Sequence, residues 1–164
     1  MAHKYDNLSI SFLDGKDVTY KEISAGDQST FDEIKAIITT QTLTSLSATY
    51  GDESWAIDVA CEKNRSYIVI LDIKQGTTYT YLNPLFLSSL SHDGLSPNSN
   101  IYVCDDMEQF ESDEKNAESL ELFEINGNEC PLLHICEEPN TLYKIVYRFL
   151  ESGTILTDAN WLKS

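Results

Sequence analysis

Hydrophobic and polar positions alternate first between Leu8 and Leu13, a loose two-residue period that predicts a strand closed by Asp14-Gly15. Then the period changes. Phe31, Ile34, Ile37 and Ile38 fall on one face of a helix, and Thr30 with Glu33 fits a capping box at its start. Leu43–Thr49 reads as a strand ending at Tyr50-Gly51-Asp52. Its expected partner is Trp55–Cys61, where Trp55, Ile57, Val59 and Cys61 share a face. Tyr67–Ile73 is nearly continuous in apolar residues, the pattern of a central strand buried on both faces. Gln75-Gly76 turns it into Thr77–Leu82, with Tyr79 and Tyr81 on one side. Sequential strands with short turns predict an antiparallel meander, which Asn83-Pro84 ends.

The next stretch is less regular. Ser88–Asn100 has the composition of a loop, Ile101–Cys104 is a short apolar segment, and Asp105–Glu121 is acidic with weak patterning. Leu120–Asn126 predicts an edge strand closed by Asn126-Gly127-Asn128. The strongest periodicity comes last. Leu142, Ile145, Val146, Phe149 and Leu150 form a stripe at i, i+3, i+4, i+7 and i+8. Pro139-Asn140 precedes it, with Asn140 expected as N-cap, and Gly153 follows as the stop. Trp161 lies in a short tail expected to fold back and bury its ring. The order predicts an α+β fold: one domain over 1–164, mainly an antiparallel β-sheet meander with an N-terminal and a C-terminal helix packed on it, and an acidic, loop-rich insert at about 88–121.

Composition narrows the classes. The 164 residues are 41% apolar with two Trp, nine Tyr and six Phe, enough for a core without staples. No stretch approaches the roughly 20 apolar residues of a membrane helix, and Met1–Asp6 lacks an apolar signal core, so a cytoplasmic location is expected. The four cysteines, Cys61, Cys104, Cys130 and Cys136, are then expected as reduced, buried thiols.

Charge changes the picture most. Formal net charge is −16, with 11 Lys+Arg against 27 Asp+Glu. Residues 1–82 carry 12 acids and 7 bases, residues 83–164 carry 15 acids and 4 bases. Such a surface repels nucleic acid and anionic membranes and attracts basic partners. Between Asp105 and Glu138 there are 12 acids and one base, Lys115. Within this run Asp105, Asp106, Glu108, Glu111, Asp113 and Glu114 surround Met107 and Phe110. Charge steers an encounter and buried apolar anchors hold it, so these eight residues are the expected partner-binding site.

Other chemistry has less support. Cys130-Pro-Leu-Leu-His134-Ile-Cys136 places thiols and an imidazole close together, but its spacing matches no common structural-zinc pattern, and His134 and Cys136 alternate with Leu133 and Ile135 as strand residues do. His92, in His92-Asp93-Gly94, has the side chain of a general base without a nucleophile motif around it. The spacing of Asp105, Asp106, Glu108 and Glu111 lacks the Gly and terminal Glu of a calcium loop. The seven glycines are scattered and form no phosphate loop. No catalytic residue, metal or cofactor is expected.

Two blocks of residues carry a family resemblance. One is Leu43-Thr-Ser-Leu-Ser, Trp55-Ala-Ile-Asp-Val-Ala, Tyr67-Ile-Val-Ile-Leu-Asp and Tyr81-Leu-Asn-Pro84. The other is Phe123-Glu-Ile-Asn-Gly127 with Pro131, Ile145-Val-Tyr-Arg-Phe149-Leu-Glu-Ser-Gly153 and Trp161. Over roughly two thirds of the chain this resembles the immunity proteins of bacterial polymorphic toxin systems, in particular the family numbered first in that series. The resemblance implies a non-enzymatic antidote to a secreted deaminase, nuclease or other toxin domain, a monomer on its own and a one-to-one complex with its toxin. The Ser88–Glu121 insert departs from the family pattern, where the toxin-facing surface is expected to vary. The rival expectations are an acidic adaptor or nucleic-acid mimic acting on another basic partner, and an enzyme using His92 or His134.

Overall fold

The computed structural model describes residues 5–23, 28–85, 100–103 and 121–164. Its strands are β1 (Tyr5–Asp14), β2 (Asp17–Ile23), β3 (Leu43–Tyr50), β4 (Trp55–Glu62), β5 (Arg65–Asp72), β6 (Thr77–Leu82), β7 (Ile101–Val103), β8 (Leu122–Ile125), β9 (Asn128–Pro131), β10 (Ile135–Cys136) and β11 (Asn160–Lys163). Among the described residues the helices are α1 (Gln28–Thr39) and α2 (Pro139–Ser152), and Leu132–His134 forms a 3-10 turn. The fold is α+β in a single domain. Among the described strands, nine form one sheet in the order β2-β1-β3-β4-β5-β6-β11-β7, with β10 paired to β5; β8 and β9 form a separate hairpin. All pairs are antiparallel except β11 with β7.

Each strand of the meander has one face that must leave water. In β4, Ile57, Val59 and Cys61 are buried and Trp55 is half-buried, while Asp58 on the other face is exposed. In β5 the buried set is Ser66, Ile68 and Ile70. Tyr67, Val69 and Leu71 are only partly covered, so this strand is not buried on both faces as its composition suggested. Its second face meets the hairpin and solvent instead of a second full layer.

The helices cover the first face together. Phe31, Ile34, Ile37 and Ile38 of α1 join Leu142, Ile145, Val146, Phe149 and Leu150 of α2 in one core with the sheet. Phe31 meets Tyr147 edge-on at 4.9 Å, and Phe149 meets Tyr50 of β3 at 6.3 Å. Gly153 ends α2 in the left-handed region at φ 67°, and its N–H donates to the Phe149 carbonyl at 2.8 Å. A Cβ there would lie 2.2 Å from the Tyr50 ring, so this stop requires glycine for both backbone and packing reasons.

Four local expectations need correction. Thr30 is buried inside α1, which begins at Gln28, so it is not a cap. Glu138, not Asn140, is the N-cap of α2, because Pro139 takes the first helical position, where its missing N–H costs nothing. The Glu138 carboxylate accepts from Thr141 Oγ1 at 3.0 Å. Leu122–Ile125 is not an edge of the main sheet but half of the β8–β9 hairpin. Leu133, His134, Ile135 and Cys136 are all buried, since a 3-10 turn interrupts the expected strand alternation.

The tail does bury its tryptophan, and does so within the sheet. Trp161 is fully buried in β11, between β6 and β7. Its ring meets Tyr81 edge-on, and its Nε1 donates to the Leu156 carbonyl at 3.0 Å.

Candidate functional site

The expected partner-binding residues Asp105, Asp106, Met107, Glu108, Phe110, Glu111, Asp113 and Glu114 lie outside the described residues, as does His92. The described chain fixes what flanks that acidic segment. The last described residue before it is Val103, in β7, and the first after it is Glu121, next to β8.

The hairpin is built by its turn. Asn126 and Gly127 both have positive φ, 51° and 85°, as a two-residue primed turn requires. Asn126 Nδ2 also donates to the Thr44 carbonyl at 2.8 Å, tying the turn to β3. The register that follows pairs Leu122 with Pro131, Phe123 with Cys130, Glu124 with Glu129 and Ile125 with Asn128. Ile125 and Cys130 point inward and pack with Ile135 against Ala60 and Tyr67 of the sheet. Phe123 lies under the Arg65 guanidinium, 4.1 Å from its ring centre.

The outward face is therefore Leu122, Pro131, Glu124 and Glu129. Leu122 is 53% exposed. Glu124 and Glu129 are exposed and directly opposite one another, an arrangement that costs a hairpin roughly several tenths of a kcal/mol rather than stabilising it. Glu121, Glu137 and Glu138 are exposed nearby in sequence. Among the described residues the ion pair is Lys21–Glu33, at 2.6 Å, and none of these five carboxylates has a described cation as its partner. A second spot of the same character lies where β6 leaves β5. There a cleft of about 270 Å³ is bounded by Pro84, Leu85, Glu137 and Glu138, with Leu85 81% exposed. Apolar atoms framed by exposed carboxylates suit a basic protein surface.

The Cys and His residues are held in structural positions. His134 Nδ1 lies 3.0 Å from the Tyr81 carbonyl, which can only accept, so Nδ1 carries the proton. Burial holds the His134 pKa below its ordinary value, with the Tyr81 hydrogen bond opposing in part. Cys61 and Ser66 are 3.1 Å apart beneath the helices, and burial pushes the Cys61 thiol up to about 12. Burial raises Cys130 and Cys136 as well. Among the described residues no three of His, Cys, Asp and Glu gather at metal-binding range.

These positions can be measured directly. Cys61, Cys130 and Cys136 should resist iodoacetamide in the folded protein at neutral pH and react fully in denaturant, because a buried thiol with a raised pKa presents little thiolate; rapid labelling of any of them, read by mass spectrometry, would contradict the burial. For His134, the fold favours the neutral ring. Its contribution to stability is complete above its unfolded value of 6.5 and is lost as pH falls through the lower folded value. Denaturation of His134→Asn beside the unaltered chain should show a stability gap that narrows on acidification. A gap that widens would mean the imidazolium is the stabilised form.

No family model matches the chain, and no curated protein or solved structure shows significant similarity to it. The residues that carried the resemblance to immunity proteins fall mainly in β3 to β6, α2 and β11, where they build the sheet and its helical cover. Of the hairpin's outward face, Leu122 and Glu124 fell within the expected strand Leu120–Asn126, and Glu129 was legible only as part of the acidic run. Their pairing depends on register, for which Asn126-Gly127 was the available signal.

Proposed function

We propose that the chain is an immunity protein that binds a secreted bacterial toxin domain, a deaminase or nuclease with a basic substrate cleft, and neutralises it by occluding that cleft. The observation that supports this most is the outward face of the β8–β9 hairpin, with Glu124 opposite Glu129 beside exposed Leu122. A fold that holds like charges across a strand pair, with no ion pair to them among the described residues, gains from a cationic partner what it loses alone. The acidic segment from Asp105 to Glu114 precedes the hairpin in the sequence and adds to the same run of carboxylates. In this reading Asp105, Asp106, Glu108, Glu111, Asp113 and Glu114 steer the encounter, Met107 and Phe110 anchor it, and the protein acts in the cytoplasm with one toxin domain per chain.

Among the described residues no helix is long and apolar enough to cross a membrane. A toxin that processes nucleic acid must present cations to phosphates, and a carboxylate surface can occupy the same groove. The test is protection. The gene directly upstream should encode a large secreted protein with a C-terminal toxin domain, and co-expression of this chain should rescue cells from that domain. Toxicity that persists in the presence of soluble chain would reject the proposal in favour of an adaptor for a different basic partner.

A further inference from the structure

At the end of the sheet opposite β7, the outermost described strand is β2. Among the described strands β2 has a single neighbour, β1, and Val18 and Tyr20 on β2 are 63% and 60% exposed. Leu13, paired with Val18 across β1, adds to the same exposed apolar strip. Unprotected edges of this kind invite another strand.

The hairpin geometry says which backbone groups are free. Asp14 and Asp17 close a two-residue turn through Gly15, at φ 68°, and Lys16. The closing pair of such a turn exchanges its backbone hydrogen bonds, and the pattern then alternates. Asp17, Thr19 and Lys21 thus direct N–H and C=O toward β1, while Val18, Tyr20 and Glu22 direct theirs outward.

We propose that this edge pairs with the β2 of a second copy of the chain, antiparallel and centred on Thr19. The sequence Lys16-Asp17-Val18-Thr19-Tyr20-Lys21-Glu22 is complementary to itself in that register. Asp17 faces Lys21 of the second copy, Lys16 faces Glu22, and Val18 faces Tyr20. The Lys21 ammonium has three donors, and Glu33 of its own chain takes one of them at 2.6 Å, which leaves donors for Asp17. The two Val18–Tyr20 pairs carry outward backbone groups, so they are hydrogen-bonded pairs in phase with the β1–β2 ladder, while Lys16, in the turn, meets Glu22 through its side chain. Moving the register by two residues either way removes every opposite-charge pair. Residues 16–22 carry two bases and two acids, a neutral strip on a chain of net charge −16, so the bulk repulsion between copies is least here. The two-fold axis stands perpendicular to the sheet. Both copies keep their helices on one face, and β7, at the opposite end of the described sheet, stays clear of the contact. This replaces the lone monomer expected from the sequence, and it does not depend on the identity of the toxin.

Sedimentation of the full chain over a range of concentrations tests it. The unaltered chain should show a monomer–dimer equilibrium. Asp17→Lys sets two cations against each other on both sides of the axis, the new side chain facing Lys21, and should weaken dimerisation by roughly tenfold or more. Adding Lys21→Asp restores opposite charges with reversed sense and should recover it. Should Asp17→Lys fail to fold, Tyr20→Lys, on the exposed face, should weaken the dimer in the same way. A chain that stays monomeric at every concentration overturns the proposal, as does a dimer indifferent to these changes.

Discussion

Replacing Trp161 with alanine is expected to lower folding stability by about 3–5 kcal/mol, and Phe149→Ala by a similar amount. Both side chains are fully buried. Trp161 sits in the sheet between two strands, so its loss leaves a cavity that neighbouring backbone cannot collapse into, and it strips the Leu156 carbonyl of the indole N–H. Phe149 joins the α2 stripe to Tyr50 of β3, which links the helical layer to the sheet. Losses of this size are a large fraction of the roughly 5–15 kcal/mol that holds a domain folded. Trp161→Phe retains most of the volume and should cost much less than Trp161→Ala. Urea denaturation measures all three; a loss below about 1 kcal/mol for Trp161→Ala would place that ring outside the core.

The second large effect concerns the proposed toxin partner. Converting Asp105, Asp106, Glu108 and Glu111 to their amides should slow association on the order of tenfold to a hundredfold at low salt and flatten its salt dependence, because in the proposed complex these charges steer the encounter. Glu124→Gln with Glu129→Gln should do two things at once. It should stabilise the free protein slightly, by relieving the cross-strand repulsion, and weaken the complex. Opposite signs on stability and binding distinguish an interface from a merely structural hairpin. If one of these carboxylates meets a lysine or arginine in the toxin's cleft, its loss alone should cost about 2–5 kcal/mol of binding, expressed in dissociation.

How much of this was legible in the sequence depends on what each residue faces. Ile57, Val59 and Cys61 alternate with exposed or half-exposed positions because one face of β4 is buried, and that asymmetry is written in the residue types. The α2 stripe is legible for the same reason. β2 was not, because Asp17–Glu22 has little burial on either face and so carries no apolar period. The start of α2 turned on a competition between neighbours, and the fixed φ of Pro139 prevailed over the capping preference of Asn140. The burial of Trp161 was legible from its type. Its place between β6 and β7 was not, since that pairing joins segments far apart in the chain. The acidic run was visible as composition, whereas the opposition of Glu124 and Glu129 required the hairpin register.

Capture of a cationic toxin cleft by a carboxylate surface is tested most directly by one rate. It is the association rate between this chain and the toxin domain proposed to be encoded beside it, across a salt series, for the unaltered protein and for Glu124→Gln with Glu129→Gln. Tight binding is expected, with a rate that falls steeply as salt rises, and a slower, less salt-sensitive rate for the variant. Binding with no salt dependence, unchanged by the variant, would contradict it.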